Sequence, residues 1–139
     1  MDDVRERGLT LFTEIMGADR GAAMREVVAG EGFGTGMAQL ATDFAFGSVW
    51  ARDGLTRKQR SLVTLGILIA LRQPSELKNH VRIAIANGLT AREIEEVVIQ
   101  ATPYTGFPAT ASAGSAVLEV LREAGLDSVE RTAEERGML

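Results

Sequence analysis

Residues 55–108, LTRKQRSLVTLGILIALRQPSELKNHVRIAIANGLTAREIEEVVIQATPYTGFP, carry the signals that separate helix from strand in this chain. Thr56 stands three residues before Gln59, and Thr90 three before Glu93. Both fit the capping box, in which a Ser or Thr side chain and a Glu or Gln side chain satisfy each other's orphan backbone donors. The spacing predicts a helix from Thr56 to about Leu71, stopped before Gln73-Pro74. A second runs from Pro74 or Ser75 to Asn87-Gly88, a left-handed C-terminal signal. A third follows Thr90 to about Ala101, where Pro103 and Gly106 break it. Pro108 suits the first turn of a fourth, over 109–124, ending at Gly125.

Upstream, residues 2–16, 20–29 and 37–50 read as three further helices, and no stretch alternates with period two for long enough to form a strand. The expected fold is all-α, one compact helical domain over residues 1–139. The helix over 62–71 is apolar nearly all the way round (Leu62, Val63, Leu65, Ile67, Leu68, Ile69, Leu71), which predicts burial on most sides. A short chain encloses such a helix poorly, so a subunit interface is the expected second cover. The small residues 111–116 predict close helix packing or room for a ligand.

The chain has 139 residues, 45% hydrophobic and 24% charged, as befits one folded domain. Its net charge of −4 and lack of a basic run give no reason to expect nucleic acid or a membrane surface. The N-terminus is charged rather than hydrophobic, and the longest apolar run is too short to span a bilayer. The cytoplasm is the expected location. Cysteine is absent, which removes disulfides, thiolate nucleophiles and thiolate metal ligands.

The single histidine, His80, lies four residues after Glu76. On a helix that spacing places both on one face, and histidine is the side chain whose proton moves most easily near neutral pH. The pair reads as an acid–base site. The bland alternative is a hydrogen-bonded histidine at a helix interface, with Glu76 complementing the helix dipole. One histidine and no cysteine leave only carboxylates for a metal, so no metal site is expected.

The ordered elements Trp50, Arg52, Gly54-Leu55, Arg60, Glu76, His80, Asn87-Gly88-Leu89-Thr90, Tyr104, Gly106 and Pro108 resemble the carboxymuconolactone decarboxylase family over about the last two-thirds of the chain. The resemblance implies an all-helical fold assembled as a ring-like homo-oligomer, a trimer or hexamer, with sites close to subunit contacts. One branch, alkylhydroperoxidase-like, uses Cys-x-x-Cys-x-x-x-His. Aligned on His80, this chain has Gln73 and Glu76 in place of the cysteines and Ser61 in place of a relay glutamate. The other branch removes CO2 from γ-carboxymuconolactone without a cofactor to give the 3-oxoadipate enol lactone, and this chain resembles it better.

That chemistry must hold a dianionic lactone or carboxylate substrate, stabilise a developing oxyanion and deliver a proton. Arg52 and Arg60 are the candidates for carboxylate binding. His80 is the candidate general acid or oxyanion donor, Glu76 its orienting partner, and Tyr104 a further hydrogen-bond donor. Each has a structural alternative: Arg60 as a packing ion pair, Arg52 as a helix cap, Trp50 as core. The chain departs from the decarboxylase pattern at Phe46, Asp53, Pro103 and Ala111, all near the expected pocket. Two further readings therefore stand beside the decarboxylase: an acid–base isomerase or cyclase, and a non-catalytic oligomeric binding protein.

Overall fold

In the computed structural model, residues 2–126 and 135–138 are described, and among them all regular structure is helical, as the sequence predicts. The chain forms two compact units, one up to Arg57 and one from Lys58 onward. No helix among the described residues is long and apolar enough to cross a membrane.

The first unit contains α1 (Asp2–Met16), α2 (Ala18–Ala29), α3 (Thr35–Leu40) and a π-helix (Ala41–Trp50) that continues α3 without a break. The sequence predicts one ordinary helix over 37–50; the second half instead winds with a wider turn, as shown by the Ala51 N–H donating to Phe46 O at 3.1 Å. The π-helix packs on α1 at backbone distance. A Cβ on Gly8 would collide with the carbonyl oxygen of Thr42, and one on Gly47 with that of Val4. Arg7 Nε donates to Gly47 O at 2.9 Å, and Arg5 grips Asp43 through two bonds of 2.9 and 2.7 Å. Phe12 meets Phe46 edge-on at 5.5 Å, a favoured aromatic geometry.

The second unit contains α4 (Arg57–Ala70) from its second residue onward, α5 (Pro74–Ala86), α6 (Ala91–Thr105) and α7 (Phe107–Glu123). Its core joins Leu65 and Ile69 of α4, Leu77, Val81 and Ala84 of α5, Ile94 of α6, and Ala113, Ala116, Val117 and Val120 of α7. The small residues of α7 thus serve close packing on the face carrying Ala113 and Ala116, while Ala111, Ser112 and Ser115 are exposed. Asn87 caps α5 and Gly88 takes the left-handed turn (φ 97°) that glycine adopts without strain.

Two expectations need correction. The helix after Thr90 does not end at Ala101; it runs through Pro103 to Thr105. Proline removes one N–H, but Pro103 is exposed, so water can satisfy the carbonyl that loses its donor. α4 is not buried on most sides either. Ser61, Leu65 and Ile69 are buried, whereas Val63, Ile67 and Leu71 are 54, 51 and 62% exposed.

The Thr90 capping box forms as the spacing predicts: Glu93 N donates to Thr90 Oγ1 at 3.1 Å, and Thr90 N to Glu93 Oε1 at 3.0 Å. Lys58 lies 3.2 Å from the same carboxylate. The Thr90 backbone N–H, then Lys58, holds the Glu93 carboxyl below its ordinary pKa. Thr90→Ala should cost about 1 kcal/mol, seen as an earlier urea midpoint with an unchanged slope.

Candidate active site

α5 starts at Pro74, whose fixed φ and missing N–H suit a first helical turn. Glu76 follows in that turn and His80 one turn later. Glu76 is exposed and accepts a long bond from Asn79 Nδ2 at 3.4 Å. His80 is half-buried, and its Nδ1 atom is closed off from solvent. Burial pushes the His80 pKa below its ordinary value of 6.5, while the Glu76 charge pulls it up less strongly. Burial outweighs the carboxylate, so the neutral imidazole is the resting form at neutral pH.

Arg60 lies near the start of α4 in the same unit, half-buried, with its Nε closed off from solvent. Its neighbour Ser61 is 1% exposed and accepts a 2.9 Å bond from Asn87 Nδ2 at the end of α5. That bond ties the beginning of α4 to the end of α5. Sequence reasoning treats Asn87-Gly88 as a helix stop and Ser61 as a missing glutamate. The bond between them goes unnoticed because neither residue signals a partner 26 positions away.

Arg52 lines a cleft of about 640 Å³ in the first unit, with Trp50, Arg7 and Thr56. Trp50 is half-buried there, its ring 6.4 Å from Phe46. Tyr104 is 81% exposed and lines an apolar groove of about 660 Å³ between α4 and α6, together with Leu62, Gly66, Val97 and Ala101. His80 and Glu76 are not part of that groove's lining. The second unit thus carries Arg60, Glu76, His80 and Tyr104, and of these Tyr104 alone lines that groove.

The sequence pattern of the carboxymuconolactone decarboxylase family matches residues 36–120. The chain is also 34% identical over 121 residues to 4-carboxymuconolactone decarboxylase of Acinetobacter baylyi, spanning 87% of this chain and 89% of that relative. The chain belongs to the carboxymuconolactone decarboxylase family. A shorter match, 51% identical over 70 residues, is to nitrosuccinic acid decarboxylase of Metarhizium robertsii and spans 50% of this chain and 49% of that protein. An uncharacterised 15.0 kDa protein of Paracoccus denitrificans is 42% identical over 67 residues, 46% of this chain and 49% of its own length. The family match takes in Arg52, Arg60, Glu76, His80 and Tyr104 and leaves α1 outside it.

Proposed function

We propose that this chain is a cofactor-independent decarboxylase of a dicarboxylic acid whose departing CO2 leaves its electron pair beside an electron-withdrawing group. γ-Carboxymuconolactone is the first substrate to test. The reading is supported above all by half-buried His80 one turn after Glu76, in a chain alignable over most of its length with a decarboxylase.

In γ-carboxymuconolactone the leaving carboxylate sits on a carbon conjugated to the lactone carbonyl. The C–C bond breaks and CO2 departs, the pair spreads into that carbonyl as a dienolate, and a water molecule then delivers a proton to carbon. Nitrosuccinic acid offers the same logic, because its nitro group can take the pair as a nitronate. A neutral His80 donates its N–H to the oxygen where charge develops. Glu76 orients the ring and offsets part of the burial penalty on the imidazolium form. Arg60 supplies a guanidinium for substrate carboxylate, which a planar two-pronged donor matches best.

The test is CO2 release from γ-carboxymuconolactone, and separately from nitrosuccinate, by protein dialysed against EDTA. Turnover of either supports the reading, and their ratio names the electron sink. CO2 release from neither substrate by folded protein overturns it.

The same reading includes assembly as a homo-oligomer, a trimer or hexamer. It is supported by Val63 and Ile67 of α4 and Leu71 just after it, a four-residue-spaced apolar stripe left exposed; water-facing stripes of this kind mark association surfaces. Light scattering should give the mass of three or six chains at micromolar concentration, and Ile67→Glu should lower it. A stable wild-type monomer would count decisively against assembly.

A further inference from the structure

We propose that the cavity between the α4–α5 turn and α7 is the subsite for the carboxylate that a dicarboxylic substrate keeps, with Arg72 as its anchor. This rests on the decarboxylase reading and adds a subsite and its anchoring residue to it. The cavity measures about 240 Å³, with Ile69, Leu77 and Ala113 in its apolar lining and Arg72, Gln73 and Ser112 as its polar groups. A cavity of about 150 Å³ already holds benzene, so a short carbon skeleton fits.

Arg72 differs from the arginines that hold ion pairs. Arg5, Arg25, Arg57, Arg82 and Arg122 each hold a carboxylate. Among the described residues Arg72 makes no such pair, and its side chain is exposed. Its guanidinium is available at the edge of a concave apolar surface, where a carboxylate is less screened than on open surface.

Gln73 connects the cavity to the proposed acid–base pair. Gln73 is the N-cap of α5, and Glu76 and His80 follow it four apart on one face of that helix. From Gln73 to His80 the helix rises roughly 10 Å, and the side chains at either end cover part of that span. A dicarboxylate with one end at Arg72 and Gln73 would direct its other end along this face towards His80. Monocarboxylates would lack the second anchor. γ-Carboxymuconolactone and nitrosuccinate are both dicarboxylic acids.

The backbone provides an unusual control. Arg72 has φ 55°, and every other described residue with positive φ is a glycine. Arg72→Gly therefore removes the guanidinium while relaxing the turn, so the variant should melt no earlier than wild type. Glutarate, a dicarboxylate that cannot lose CO2 by this chemistry, is the probe, with glutaramide as its uncharged counterpart. NMR titration of wild type should move the Ala109 and Ala113 amides. Arg72→Gly should weaken glutarate at least about tenfold, the scale of a charged hydrogen-bonded contact, and Arg72→Lys should restore part of it. Glutaramide should not distinguish wild type from Arg72→Gly. In turnover, Arg72→Gly should raise KM with kcat largely kept.

Arg72-dependent glutarate binding at these amides in a protein that releases no CO2 keeps the subsite and removes the decarboxylase reading. Turnover with KM and glutarate affinity unchanged in Arg72→Gly does the reverse. No glutarate binding by wild type, or binding that maps elsewhere, overturns the subsite.

Discussion

His80→Ala should lower kcat for CO2 release by about 10²-fold or more, the usual contribution of one positioned proton-handling or oxyanion-binding group. The helix should survive the change, because the buried face of α5 is built by Leu77, Val81 and Ala84 rather than by His80. Glu76→Gln should cost less, since an amide keeps the shape and can still orient the ring. The pH profile separates two roles for the imidazole. Burial depresses the His80 pKa below 6.5, so a neutral N–H donor works at pH 7 and above and kcat/KM stays level there. An imidazolium acid would instead lose activity steadily as pH rises above the depressed pKa. A level profile together with an inactive His80→Ala assigns the donor role; wild-type turnover in His80→Ala makes the residue structural. Folding stability follows the same linkage. The unfolded histidine binds its proton more tightly than the folded one, so stability is full above about pH 6.5 and falls as pH drops through the lower folded pKa. His80→Asn should flatten that acid limb in melting experiments.

Helices with strong punctuation were legible in the sequence. Asp2–Met16 is found with the bounds that the sequence predicts, and α5 and α6 begin where Pro74 and Thr90 place them. What the sequence hides is set by tertiary partners. The i to i+5 winding of Ala41–Trp50 leaves no mark in composition, because side-chain types that suit an α-helix suit a π-turn equally. Pro103 reads as a breaker, yet an exposed proline late in a helix forfeits only one bond. α4 reads as wrapped in protein, but periodicity cannot say which apolar positions the same chain will cover. The site divides likewise. Spacing alone puts Glu76 and His80 together, because four residues on a helix is a geometric statement. Arg52 and Tyr104 depend on loop paths and on which face of α6 meets α7, and no local signal encodes either. Arg72 is invisible for a related reason: a left-handed arginine is betrayed only by its backbone angle.

Gly8→Ala should destabilise the first unit more than an ordinary helix substitution, because two glycines make the contact between α1 and the π-helix. Beyond its clash with the Thr42 oxygen, a Cβ on Gly8 would lie 3.0 Å from the Thr42 carbonyl carbon and 3.1 Å from Gly47 N. The obstructing atoms are backbone, so no rotamer change relieves them. Gly47 meets the same limit from the other side, with Val4 Cγ1 at 3.0 Å. Helix propensity pulls the opposite way, favouring alanine over glycine by about 1 kcal/mol. Overpacking costs typically 1–3 kcal/mol, more where only backbone can move, and separating the helices also lengthens the Arg7–Gly47 and Arg5–Asp43 bonds. The steric term wins. A fall in Tm of about 5–10 °C is expected at this chain length, with faster amide exchange in α1 and the π-helix. Gly66→Ala is the internal control: it sits on α4 with nothing within 4 Å of its added Cβ, so propensity acts alone and the variant should be slightly more stable than wild type. If Gly8→Ala melts with the wild type while Gly66→Ala gains stability, α1 does not approach the π-helix this closely.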